Sequence, residues 1–169
     1  MTGYIALGSN LGDRRAHLQA GLDGLNEAGL RPTRISSVWE TEPVGVSDLR
    51  LFWNMAVEIE TGEPPRRVLD VLLRIERAAG RERTGPNASR TLDLDLLMLG
   101  NLSVDDGRLQ LPHPRMWERS FVLAPLAEIA PQLRNPRSGL SVADELARIA
   151  YPTRVCSIGV LDRCPTVLL

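Results

Sequence analysis

An α+β fold, an antiparallel sheet with helices packed on it, is what this chain predicts, and three observations predict it. Residues 52–61 alternate Met55, Val57 and Ile59 against Asn54, Ala56 and Glu58, the period-two pattern of a half-buried strand. Residues 13–28 and 64–79 instead carry apolar side chains at helical spacing: Leu18, Leu22 and Leu25 in the first, Leu69, Leu72 and Leu73 in the second. Strand and helix patterns also intermix along the chain without strict alternation, which favours α+β architecture.

Taken in order, residues 4–7 form a short apolar run that ends in Gly8-Ser9-Asn10-Leu11-Gly12-Asp13, a strand turning into the first helix, which Gly29 stops. Residues 33–41 read as one strand ended by Glu42-Pro43, and a loop over 43–51 separates it from the strand at 52–61. Pro64 and Pro65 suit the opening turn of the second helix. Glu76 falls on that helix's apolar stripe, which leaves two readings: a carboxylate beneath the sheet, or one at the edge reaching water. Arg81, Arg83 and Arg90 bracket a loop over 84–89 with turn-forming composition, and 92–99 is a further strand. Asp105-Asp106-Gly107 predicts a hairpin turn between 102–104 and 108–111. Ser141 caps a last helix whose inner face is Val142, Leu146 and Ile149, and from Pro152 onward no pattern emerges. Without a repeat, linker or charged tail, residues 1–169 are expected to form one domain.

Composition excludes several function classes. A net charge of -1 gives no bulk drive toward nucleic acid or an anionic membrane, so neither is an expected partner. No apolar run approaches the roughly 20 residues of a membrane span, and the start of the chain has no signal-peptide layout, so the expected location is cytoplasmic. Cys156 and Cys164 have no histidine nearby, which points to free thiols rather than a zinc cluster. All 20 basic residues are arginine. A P-loop lysine, a kinase strand lysine and a Schiff-base lysine are therefore impossible, and any phosphate must be held by arginine.

The chemistry concentrates at Arg90-Thr91-Leu92-Asp93-Leu94-Asp95. In a strand Asp93 and Asp95 project from one face with Cα atoms about 6.5 Å apart, and like charges so placed demand a counter-charge. One reading is a polar sheet face with two solvated aspartates. The other is a site for Mg²⁺, which takes one or two carboxylates and leaves its remaining positions to water and substrate phosphates. His17 lies in the first helix and reads as a surface residue, whereas His113 stands fixed between Pro112 and Pro114. Paired aspartates, neighbouring arginines and no lysine point to metal-assisted phosphoryl or nucleotidyl chemistry outside the P-loop class.

Five segments then carry a resemblance: Gly8-Ser9-Asn10-Leu11-Gly12; Thr41-Glu42-Pro43 with Asn54; Gly80-Arg81; the 90–95 run; and Leu111-Pro112-His113-Pro114-Arg115-Met116 with Arg119-Ser120-Phe121. In that order they resemble the 6-hydroxymethyl-7,8-dihydropterin pyrophosphokinase family over residues 4–131. The resemblance implies a ferredoxin-like antiparallel sheet with helices on both sides, a three-layer α-β-α fold, and a monomeric enzyme of folate biosynthesis. It implies transfer of diphosphate from ATP to the pterin hydroxymethyl group, with release of AMP. By the same resemblance Asp93 and Asp95 hold two Mg²⁺ ions, and Arg81 and Arg90 act on the transferring diphosphate. Glu76, Arg81, Arg83, Arg90, Leu96, Arg108, His113 and Arg119 form the ATP site. Thr41, Pro43, Val44, Phe52, Asn54, Asp93 and Phe121 form the pterin site, with Phe52 and Phe121 on the two ring faces. The chain departs from many members in Asn87-Ala88-Ser89 before Arg90, in Leu73, and in Pro114 after the histidine. Two alternatives stand beside this: a two-metal phosphodiesterase or nuclease on the same aspartates, and a non-catalytic ferredoxin-like module that binds a small molecule.

Overall fold

The computed structural model describes residues 1–43, 50–81, 89–149 and 155–161. Its main sheet is antiparallel throughout. Strands β1 (Thr2–Ser9), β2 (Arg31–Ile35), β3 (Val38–Thr41), β4 (Phe52–Glu60), β5 (Asp93–Leu99) and β8 (Val155–Gly159) build it in the order β5-β1-β4-β3-β8. β2 also pairs with β4, alongside the half that β3 leaves open. A small hairpin of β6 (Val104–Asp105) and β7 (Gln110–Leu111) stands apart from the sheet.

Helices cover both faces, because the strands alternate between two apolar cores. Ile5, Leu7, Met55, Val57, Ile59, Leu94 and Leu96 face α1 (Arg14–Glu27) and α2 (Pro65–Ala78), which contribute Leu18, Leu22, Leu25, Val68, Val71 and Leu72. Ala6, Ala56, Leu97 and Met98 face α3 (Ser120–Ile129) and α4 (Val142–Arg148) through Val122, Leu123, Leu126 and Val142. The result is the three-layer α-β-α arrangement expected from the resemblance. None of the described helices is long and apolar enough to cross a membrane.

Helix boundaries follow local chemistry. Asp13 caps α1 by accepting from the Ala16 N–H, Pro65 opens α2, and Ser141 with Asp144 forms a reciprocal capping box on α4. The turn at 105–108 is held by Asp106, whose carboxylate accepts from the Arg108 and Leu109 N–H groups.

Two expectations are corrected. The stretch 33–41 is two strands, because the buried Ser36 breaks the ladder. Its hydroxyl accepts from the Ala56 N–H at 2.9 Å and donates to the Ser37 carbonyl, so a side chain takes the place of a backbone acceptor between β2 and β3. The tail is not patternless in space: β8 pairs with β3 along Val38–Thr41. Five residues on a sheet edge carry too short a pattern for periodicity to reveal.

Candidate active site

The opening residues of β5 carry the site. Asp93 and Asp95 project to one face, as strand alternation dictates, while Leu94 and Leu96 point into the α1–α2 core. The counter-charge expected beside them is present as arginine. Arg81 reaches one Asp93 oxygen at 2.5 Å, Arg90 the other at 2.5 Å, and Arg119 approaches Asp95 at 3.8 Å.

Glu76 settles its two readings. It is 3% exposed, beneath the sheet, and its carboxylate accepts both from the Leu94 N–H at 2.8 Å and from Arg81. The Arg81 guanidinium thus bridges α2 and β5. Arg90 is held by Asn10, a buried residue of the first loop. The Asn10 amide oxygen accepts from the Arg90 N–H at 2.8 Å, and its amide nitrogen donates to Ser89 at 3.1 Å. Beside these segments the buried hydroxyls of Ser9 and Thr91 have no hydrogen-bond partner among the described residues.

The site residues divide between neighbouring cavities. Gly8, Thr41, Glu42, Phe52, Asn54, Arg90, Asp93, Asp95, Arg119 and Phe121 line a narrow cleft of about 90 Å³ on the α3 side of the sheet. Asn54 donates to Thr41 at 2.8 Å inside it, and the Arg119 guanidinium lies 5.5 Å from the Phe121 ring centre. Gly8 leaves room there for Asn54, whose amide oxygen a Cβ would approach to 3.0 Å. A second cavity, about 450 Å³, is bounded by Leu94, Asp95, Leu96, Arg108, Gln110 and His113. A third, about 430 Å³, adjoins Asp70, Leu73, Glu76, Arg81 and Arg108. Asp95 lines both the first and the second, and Arg108 joins the second to the third.

Sequence reasoning missed Gly8, Asn10 and Glu42 as site-shaping residues. Asn10 and Gly8 sat in a motif that reads, by itself, as an ordinary turn. Pro43 is half-buried at the end of the described segment, while Val44, Arg83 and most of the 84–89 loop lie outside the described residues. So does Cys164.

The electrostatics favour a cation. Asp95 keeps 37% of its side chain open, yet its carboxyl is raised above the ordinary carboxylate range, by burial first and by the charge of Asp93 second. His113 is lowered, by burial first, with Asp95 pulling the other way. Burial also lowers Arg119, and the nearby Arg115 adds to it. Among the described residues no cluster of three acidic, histidine or cysteine side chains forms a protein-only metal cage. Two hard carboxylates on one face, open to a cavity, nonetheless fit Mg²⁺ shared with substrate phosphates.

The family model for 7,8-dihydro-6-hydroxymethylpterin-pyrophosphokinase (HPPK) matches residues 4–131. The chain belongs to this family. A pyrophosphokinase from Bacillus subtilis, named for 2-amino-4-hydroxy-6-hydroxymethyldihydropteridine, is 43% identical over 86% of this chain and 88% of its own. A like-named pyrophosphokinase from Methylorubrum extorquens is 42% identical over 86% and 92%. Among solved structures, the Plasmodium falciparum HPPK-DHPS with pterin and p-hydroxybenzoate shares the fold at a TM-score of 0.65 and 14% identity. It aligns with 86% of this chain, which spans 42% of that longer one. These pyrophosphokinase relatives give no support to a phosphodiesterase, a nuclease or a non-catalytic module.

Proposed function

We propose that the three cavities meeting at Asp95 and Arg108 are the reaction chamber of an HPPK, with the pterin in the narrow cleft and ATP along the other two. An ATP-dependent diphosphotransferase of folate biosynthesis follows from family membership. The residue roles are the proposal. The observation that carries them is Asp95, which alone among the described residues lines both the aromatic cleft and the cavity next to it, where donor and acceptor must meet.

In this assignment the hydroxymethyl oxygen bonds to the β-phosphorus of ATP as the bond from that phosphorus to the AMP oxygen breaks, and the hydroxyl proton passes to solvent water. Phe52 and Phe121 hold the flat ring, while Asn54, Thr41 and the backbone at Pro43 and Val44 read its polar edge. Asp93 and Asp95 would hold two Mg²⁺ ions, which when bound would supply charge neutralisation on the phosphate oxygens and would acidify the attacking hydroxyl. Arg81 and Arg90 now neutralise Asp93; with phosphates bound they transfer that charge to the migrating diphosphate, where it is worth most as the β-phosphorus changes partners. Glu76 anchors Arg81, and the amide of Asn10 anchors the chain at Arg90. Arg83, Arg108 and Arg119 supply further phosphate contacts. His113, held neutral by burial, does so as a hydrogen-bonding group, and Leu96 offers backbone to the nucleotide. No separate strong base is needed, because positioning and charge supply the catalysis. The enzyme is proposed to be one domain, monomeric and cytoplasmic, with small molecules rather than nucleic acid or membrane as partners.

Asp95→Ala tests the assignment. It is expected to lower turnover at least about a thousandfold while near-ultraviolet circular dichroism stays that of the wild type. Turnover near the wild-type rate would remove Asp95 from the chamber.

A further inference from the structure

We infer that Arg14, Glu40 and Trp53 form a clasp on the back of the sheet that fixes Thr41, Phe52 and Asn54 in the pterin cleft; the inference rests on assigning that cleft to the pterin. Arg14 opens α1, so its side chain leaves the helix toward the end of the sheet. Its guanidinium donates to the Leu51 carbonyl at 2.9 Å, pairs with a Glu40 oxygen at 3.3 Å, and lies 4.5 Å from the Trp53 ring centre. The Trp53 indole N–H donates to that same Glu40 oxygen at 2.9 Å. Three elements therefore converge on one half-buried cation.

Strand alternation links this cluster to the cleft. Trp53 packs toward the α1–α2 core, so its neighbours Phe52 and Asn54 face the opposite side, where they line the cleft. Across the ladder Glu40 is paired with Trp53, Thr41 with Phe52, and Trp39 with Asn54. Glu40 and Trp53 are thus joined by a peptide bond to cleft residues, Arg14 reaches the cleft only through them and the Leu51 carbonyl, and none of the three lines the cleft. Arg14 also holds both ends of the connection between β3 and β4, through Glu40 on one side and the Leu51 carbonyl on the other. Arginine suits the position better than lysine, since an ammonium lacks the planar guanidinium face that lies over the indole. These are positioning residues: they act through the strands.

The test titrates the dihydropterin into protein saturated with Mg²⁺ and a non-hydrolysable ATP analogue, with nucleotide affinity measured separately. Arg14→Ala is expected to raise the pterin Kd and KM about tenfold, with nucleotide affinity and kcat at saturating pterin within about twofold. Arg14→Lys recovers only part of the loss. Trp53→Phe, which keeps the packing and loses the indole N–H, gives a smaller shift in the same direction and serves if Arg14→Ala does not fold. Pterin and nucleotide affinities that fall together, or a pterin affinity left unchanged, would overturn the clasp. A wild-type protein that binds nucleotide but no pterin would overturn the cleft assignment, and the clasp's role with it.

Discussion

Asp95 and Glu76 show how single residues are tuned for the site. Because burial and Asp93 raise the Asp95 carboxyl, the folded chain binds that proton more tightly than the unfolded chain does. Ionised Asp95 therefore opposes folding at neutral pH, and the penalty fades as pH falls through its raised pKa. Without Mg²⁺, Asp95→Asn is expected to raise the thermal midpoint at pH 7, and the gain should shrink as the melts are repeated at lower pH. Mg²⁺ should stabilise the wild type and leave Asp95→Asn nearly unmoved. A midpoint that Asp95→Asn lowers at pH 7 would contradict this. Glu76 is the opposite case, a buried carboxylate fully used. Glu76→Leu leaves the buried Leu94 N–H without its acceptor and takes from Arg81 one of the two carboxylates it bridges, and should cost about 3 kcal/mol in denaturant unfolding. Glu76→Gln keeps the Leu94 bond and should cost clearly less. The sequence placed Glu76 on an apolar stripe but left open whether it reached water, because periodicity locates a face and says nothing about what that face meets.

At the scale of elements, patterns that repeat over several turns or strand residues were legible. The helix at 13–28 buries the leucines its period indicates. The helix at 64–79 is displaced from the expected Leu69, Leu72 and Leu73 face: it buries Val68, Val71 and Leu72, and Leu69 and Leu73 stay partly exposed. The strand at 52–61 buries Met55, Val57 and Ile59 as expected and also Asn54 and Ala56, because helices cover both faces of the sheet. Elements defined by one residue or by pairing alone were not. Ser36 divides a run that looks like one strand, through a hydroxyl bonded to an N–H twenty residues away. Ser36→Ala should cost about 1–2 kcal/mol by orphaning the buried Ala56 N–H, read as a shift in denaturant midpoint. No shift would mean that water or a backbone adjustment replaces the hydroxyl. β8 takes its place from β3's free edge rather than from its own composition, which is why residues after Pro152 gave no signal.

For the whole molecule, the sheet's topology gathers residues from distant parts of the chain: Gly8 and Asn10 from β1 and its loop, Thr41 and Asn54 from β3 and β4, Glu76 from α2, and Phe121 from α3. The resemblance named most of this set because its motifs are read along the chain. Asn10's grip on Arg90 and the division into cavities sharing Asp95 were not legible, since both depend on side chains meeting across the end of the sheet. The central claim is that these cavities together pass an intact diphosphate from ATP to a pterin alcohol. It is tested most directly by incubating the protein with Mg²⁺, ATP and 6-hydroxymethyl-7,8-dihydropterin and separating the nucleotides formed. The account predicts AMP and the pterin diphosphate in equal amounts, with no AMP when Mg²⁺ or the pterin is withheld. ADP as the nucleotide product, or ATP consumed at the same rate without the pterin, would contradict it.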